Sequence, residues 1–244
     1  MNNVKEIEWR ELEKIEEAVL SKVFKTTRSC SRHLLYLEAG MLPARFLVMR
    51  QMLAFLQYIL QQPTDSLLNR VYQAQVESPS SGDWASETAR VLQTFEIDLT
   101  NEEIKAMGVT QFKTLIRKKT AEAAFKYLCE KKSKGQKGRE IPYDKVEMSD
   151  YLLPDSCASL EEKFDIFEIR TEMNHMPYNF GKKQFCIEEC KKLLTNKHIL
   201  TCSHLNQSNS LIQYNKLLNG NVEEKIEVAN LFRTNLVELR RQLN

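Results

Sequence analysis

Apolar residues recur along this chain at spacings of three and four, the period of an α-helix. Ile7, Leu12, Ile15, Val19 and Val23 mark an amphipathic helix over about 4–25. A short helix over about 31–39 is predicted to end at Gly40, and Pro43 then sits where a first helical turn tolerates it. Residues 44–61 form a strongly apolar helix, with Phe46, Phe55 and Tyr58 expected in its core. Pro63 interrupts that run, and Asp65 is placed to cap a further helix through Leu67, Leu68, Val71 and Tyr72. Residues 78–82, Ser-Pro-Ser-Ser-Gly, read as the clearest linker.

Helices over 83–95, 100–107 and 110–130 follow. Thr100 with Glu103 and Ser159 with Glu162 have capping-box spacing, and the second pair opens a helix to about 173. Between them, 131–138 reads as exposed and flexible and 143–152 as a short helix. Polar residues 206–215 precede a last helix from about Asn221, with a stripe of Val222, Ile226, Ala229, Phe232, Leu236, Leu239 and Leu243. No internal repeat occurs.

Composition sharpens this reading. The 244 residues hold seven glycines and six prolines, together about 5% against an average of roughly 12%. A β-sandwich or barrel needs many turn residues, so the fold class expected is mainly α. GxGxxG, GxxxxGK[ST] and GxSxG motifs are all absent, and no Asp-Asp dipeptide offers a polymerase's paired aspartates. The net charge is only +2. It is a cancellation: residues 113–139 carry ten basic residues against Glu122 and Glu130, and residues 22–50 carry six against Glu38. The six cysteines are too scattered for a secreted disulfide scaffold. The acidic, polar N-terminal stretch resembles neither a signal nor a transit peptide. No run is long and apolar enough to span a bilayer. An intracellular protein of nucleus or cytoplasm, without a membrane partner, is expected.

Two constellations carry chemistry. Cys186, Cys190, His198 and Cys202 are spaced x3, x7 and x3. Tetrahedral zinc takes four such ligands, often as two local pairs. His198 and Cys202, four apart, share one face if helical. Neighbouring Lys182, Lys183, Lys191, Lys192 and Lys197 favour thiolates and can touch phosphates. The alternative leaves these cysteines as ordinary surface or helix residues with His198 solvated. In the second constellation, Phe112, Ile116, Thr120, Ala123 and Tyr127 form one stripe of a helix. Lys113, Arg117, Lys118, Lys119 and Lys126 lie mostly off it, and Lys131 and Lys132 extend the charge. Such a face neutralises phosphates without reading sequence, although a merely solvated face has the same pattern. Asp155 with Glu161, Glu162 and Lys163 distantly suggests a metal-dependent nuclease, but a turn and a capped helix start account better for them.

The runs LLYLEAGMLPARFLVMRQMLAFLQYIL (34–60), DSLLNRVYQAQ (65–75), SPSSGDW (78–84), EIKAMGVTQFKTLIRKKTAEAAFKYL (103–128) and FEIRTEM (167–173) lie in a telling order. They are followed by Asn-Phe at 179–180, a lysine-rich lead and HILTC at 198–202. Together they resemble the region C-terminal to the catalytic palm in non-LTR (LINE-type) retrotransposon reverse transcriptases. The resemblance covers nearly the whole chain. It implies a helical thumb-like domain over 1–77, a basic helical linker over 78–142 with a flexible 131–142, helices and a CCHC zinc knuckle over 143–205, and an amphipathic helix over 206–244. It implies one structural zinc on Cys186, Cys190, His198 and Cys202. The family's usual spacing between the first two cysteines is CxxC, and here it is x3. The implied partners are RNA or DNA, gripped through phosphates, and polymerase domains of a parent polyprotein. Phosphate contacts are expected from Lys113, Arg117, Lys118, Lys119, Lys126, Lys131, Lys132, Arg45, Arg50, Lys182 and Lys183. Fingers, palm and endonuclease are absent from this sequence, so an inactive remnant or fragment is expected. A domesticated module that docks a partner through its last helix is the alternative.

Overall fold

The computed structural model describes all residues except 1, 27–30, 81, 135–139, 173–185, 187–189, 191, 203–204, 206–209 and 244. Among the described residues there are eleven α-helices and no strand. They are α1 (Asn2–Val23), α2 (Arg32–Ala39), α3 (Ala44–Gln61), α4 (Leu67–Glu77), α5 (Trp84–Thr94), α6 (Asn101–Ala106), α7 (Val109–Lys134), α8 (Leu160–Arg170), α9 (Asn196–Thr201), α10 (Ser210–Asn219) and α11 (Val222–Leu243). A 3-10 turn spans Asp150–Leu152. The protein is mainly helical, as its pattern predicts.

Two compact units divide the chain, and neither is continuous in sequence. One comprises Met1–Glu16 and Leu42–Tyr127; the other comprises Glu17–Met41 and Leu128–Asn244. These boundaries differ from those read in the sequence at 77, 142 and 205.

The core of the first unit is built on α3. Phe46, Leu53, Leu56, Ile59 and Leu60 pack with Tyr72, Val91, Phe95, Ile104, Phe112, Ile116 and Ala124 from α4 to α7. Buried amides close the helix ends, whose last carbonyls lack partners in the helix. Gln57 Nε2 donates to the Met107 carbonyl (3.0 Å), and Asn69 Nδ2 donates to the Gln62 carbonyl (3.2 Å). Thr100 and Glu103 form the predicted capping box, and Asp83 caps α5 by accepting from the Ser86 amide. The cap of α4 is Ser66, not Asp65. Because α3 is apolar nearly all round and is covered on one side, Phe55 and Tyr58 are not core residues. They are 45% and 52% exposed, stacked at 5.9 Å, with Trp84 edge-on to Phe55.

In the second unit α2 is almost wholly buried. Gly40 ends it at φ 64°, the left-handed region that favours glycine, and a Cβ there would lie 2.0 Å from the Met148 amide nitrogen. Ala39 and Met148 form an antiparallel bridge at that point. Glu38, fully buried, receives hydrogen bonds from the hydroxyls of Tyr143 (2.5 Å), Ser149 (2.6 Å) and Tyr151 (2.6 Å) and pairs with Arg170 Nε at 3.3 Å. Arg170 also donates to the Leu217 and Leu218 carbonyls at the end of α10. These demands hold 143–149 in extended and bend conformations, where the sequence pattern predicts a helix; only Asp150–Leu152 turns.

Other boundaries differ as well. The predicted flexible stretch begins inside α7, which continues to Lys134. Part of the polar 206–215 segment is helical, because α10 starts at Ser210. The capping box of Ser159 and Glu162 is present and occupies the Glu162 carboxylate. On α1 the predicted stripe faces outward, with Ile15, Val19 and Val23 more than half exposed. On α11 Ala229, Phe232 and Leu239 of the predicted stripe are buried and are joined by Lys225, Val228 and Asn235, while Val222, Ile226 and Leu236 are half-buried.

Candidate metal centre

The four Cys/His positions lie in the second unit and converge. The Cys186 amide donates to the Lys192 carbonyl at 2.8 Å. Thr195 then caps α9, its hydroxyl accepting from the His198 amide at 3.0 Å. This helix start fixes the phase of His198, and Cys202 follows at the helix C-cap. The expected i, i+4 pairing of His198 and Cys202 is therefore present.

Cys190 Sγ lies 3.3 Å from His198 Nε2 and 3.9 Å from Cys202 Sγ. Cys186 Sγ lies 3.9 Å from Cys202 Sγ. All four ligand atoms fall within 4.8 Å of one another, close enough to hold one metal ion. Cys186 and Cys202 are buried, while Cys190 and His198 are partly exposed. The four side chains are thus gathered at one point rather than set apart as ordinary surface or helix residues.

Amide side chains clamp the helix that carries His198. Asn196 Nδ2 donates to the Ile169 carbonyl on α8 (3.1 Å), and Asn235 Nδ2 on α11 donates to the Ile199 carbonyl (3.3 Å). Lys197 reaches both oxygens of Glu140 at 3.1 and 2.9 Å and lies over the Tyr214 ring. Burial, then Glu140 nearby, raises the Tyr214 phenol above its ordinary range. Ile199 and Leu200 are fully buried. The centre is thus anchored in the helical core of its unit.

The residues expected at phosphates separate into several groups. Lys113, Arg117 and Lys118 are exposed on α7, with no ion-pair partner among the described residues. Lys119 pairs with Glu122, and Lys126 with Glu96, each at 3.3 Å on the surface. Such pairs are weak, in the range of about 0–1 kcal/mol, and yield to competing anions. Lys131 is exposed. Lys132 is turned inward instead: it donates to the Ile141 carbonyl and lies 4.8 Å from the Tyr143 ring centroid. Arg45 is also turned inward, being buried, paired with Glu13 and 5.0 Å from the Tyr127 ring centroid. Arg50 is half-buried. Lys182, Lys183 and Lys191 lie outside the described residues. Lys197 is held by Glu140.

Sequence reasoning misses the polar centre around Glu38. Its one signal is a single carboxylate inside the apolar run LLYLEAG. No single helix among the described residues is long and apolar enough to cross a membrane. No protein-family model, curated protein or solved structure matches the chain.

Proposed function

We propose that this chain is the nucleic-acid-binding C-terminal portion of a non-LTR retrotransposon reverse transcriptase, built around one structural zinc ion. The observation that carries the reading is the convergence of Cys186, Cys190, His198 and Cys202 within 4.8 Å, in the order Cys-Cys-His-Cys. Zinc suits this donor set. Bonds of about 2.3 Å to sulfur and 2.0–2.1 Å to nitrogen give tetrahedral edges of about 3.8 Å between sulfurs and about 3.6 Å between sulfur and nitrogen. The sulfur separations of 3.9 Å and the 3.3 Å sulfur–nitrogen separation are close to these. Three soft thiolates argue against magnesium or calcium, which prefer oxygen.

The ordered sequence resemblance supports the nucleic-acid part of the reading, as do the exposed cations Lys113, Arg117 and Lys118. Their role is electrostatic grip on phosphates, with the polymerase chemistry assigned to other domains of a parent polyprotein. The competing reading, partner docking through α11, has no observation in its favour, because Val228, Ala229 and Phe232 are already buried within the unit.

Anisotropy titrations of labelled RNA and DNA oligonucleotides across a salt series test the reading. Steep weakening between about 50 and 200 mM salt is expected of phosphate-driven binding. Salt-independent binding, or none at low salt, would refute it. Primer extension by the purified chain would overturn the division of labour.

A further inference from the structure

We propose that Cys190 and Cys202 form a peroxide-operated thiol–disulfide switch that opens the metal centre. The proposal rests on the metal reading above. Cys202 Sγ lies 3.9 Å from the sulfurs of both Cys186 and Cys190. A disulfide is about 2.05 Å long, so a closing movement of about 2 Å suffices.

Accessibility selects the partner. Cys186 is 6% exposed and Cys202 is 2% exposed. Cys190 is only partly buried, so an oxidant in solvent meets its sulfur first. Cys202 stands at the C-cap of the clamped helix α9, whereas Cys190 sits on a turn. Cys190 is therefore the sulfur oxidised first and Cys202 the one that attacks it.

Metal-bound cysteine is thiolate, the form that attacks peroxide. The Cys190 sulfur attacks one oxygen of hydrogen peroxide, the O–O bond breaks, and the departing hydroxide takes a proton to become water. Cys190 is then a sulfenic acid. The Cys202 sulfur attacks the Cys190 sulfur, the S–S bond forms and the S–O bond breaks, and a second protonated hydroxide leaves as water. Two electrons pass from the two sulfurs to one peroxide. The remaining donors, Cys186 and His198, are half of a tetrahedral set, so the metal dissociates. A small thiol such as glutathione reverses the change by thiol–disulfide exchange.

The test uses the reduced full chain loaded with zinc, its metal content measured first. Graded hydrogen peroxide is added, zinc release is followed with a chromogenic chelator, and disulfides are mapped by mass spectrometry. Expected is a fall from about one equivalent of zinc to near none, together with a Cys190–Cys202 bridge, both reversed by glutathione. A Cys30→Ser/Cys129→Ser/Cys157→Ser variant should respond identically. Retained zinc with Cys190 and Cys202 still alkylatable would overturn the proposal. So would release with over-oxidised cysteines and no disulfide, or a bridge at Cys186. If the reduced chain holds no zinc, the metal reading fails on that measurement. The same mapping then decides the thiol chemistry by itself: a Cys190–Cys202 bridge upholds the pairing, its absence overturns it, and the opening of a metal centre falls with the metal reading.

Discussion

Glu38 shows how one residue can set the tolerance of a region. Burial alone pushes its carboxyl up, yet Arg170 and the Ser149, Tyr143 and Tyr151 hydroxyls outweigh that and hold it below the ordinary range. Burial in turn, with the Glu38 charge beside them, raises both tyrosines well above theirs. A carboxyl with a depressed folded pKa contributes stability that is present above its unfolded value of 4.5 and is lost as pH falls through the folded value. Acid unfolding should therefore show a component below pH 4.5 that Glu38→Gln removes. Arg170→Met should cost about 3–5 kcal/mol at neutral pH, because it leaves a buried carboxylate uncompensated. Urea titrations at several pH values read both outcomes. Gly40→Ala should cost at least about 2 kcal/mol, since strain at positive φ adds to a clash. No mutation of the neighbouring side chains relieves it, because the opposing atoms are Met148 and Glu147 backbone. These long-range demands are illegible in the sequence. A lone Glu in LLYLEAG announces a buried charge, but its partners lie 105 to 132 residues away.

At the scale of elements, local chemistry is legible and facing is not. Capping boxes at Thr100 and Ser159 can be read because the interaction spans three residues. The span of α3 can be read because Pro43 and Pro63 bracket it. Which side of a helix is covered depends on neighbours that periodicity does not name. Hence Phe55 and Tyr58 are exposed and the α1 stripe faces outward. On α7, the stripe and the cations separate as expected: Phe112, Ile116 and Thr120 are buried, and Lys113, Arg117 and Lys118 are exposed. Reversing those three charges to Glu should leave the melting temperature nearly unchanged. In the anisotropy assay it should weaken binding at least tenfold and reduce the salt slope by about three, one for each phosphate no longer neutralised.

At the scale of the whole molecule, a metal held by Cys186, Cys190, His198 and Cys202 would tie local chemistry to a unit's stability. The ligand set is legible because its four members lie within 17 positions, and His198 and Cys202 need only one short helix to align. Its anchoring is not, since Asn196 and Asn235 become clamps only when α8 and α11 arrive beside α9. Chelation should consequently loosen more than the Cys/His segment. Hydrogen exchange should show amides of α8, α9 and α11 losing protection on metal removal, while those of α3 and α5 keep theirs. Loss confined to 186–202 would mean that the centre stands apart from the helices around it.

The interleaving of the two units also imposes an order on synthesis. Residues 42–127 bring every later segment of the first unit into being while α2 is already made and still lacks its partners. Leu34, Leu35, Leu37 and Glu38 emerge first, and Arg170 follows Glu38 by 132 residues. At a ribosomal pace of about 5–20 residues per second, that interval is roughly 7–26 seconds. Throughout it, an apolar segment with a carboxylate at its centre lacks the groups that will enclose it.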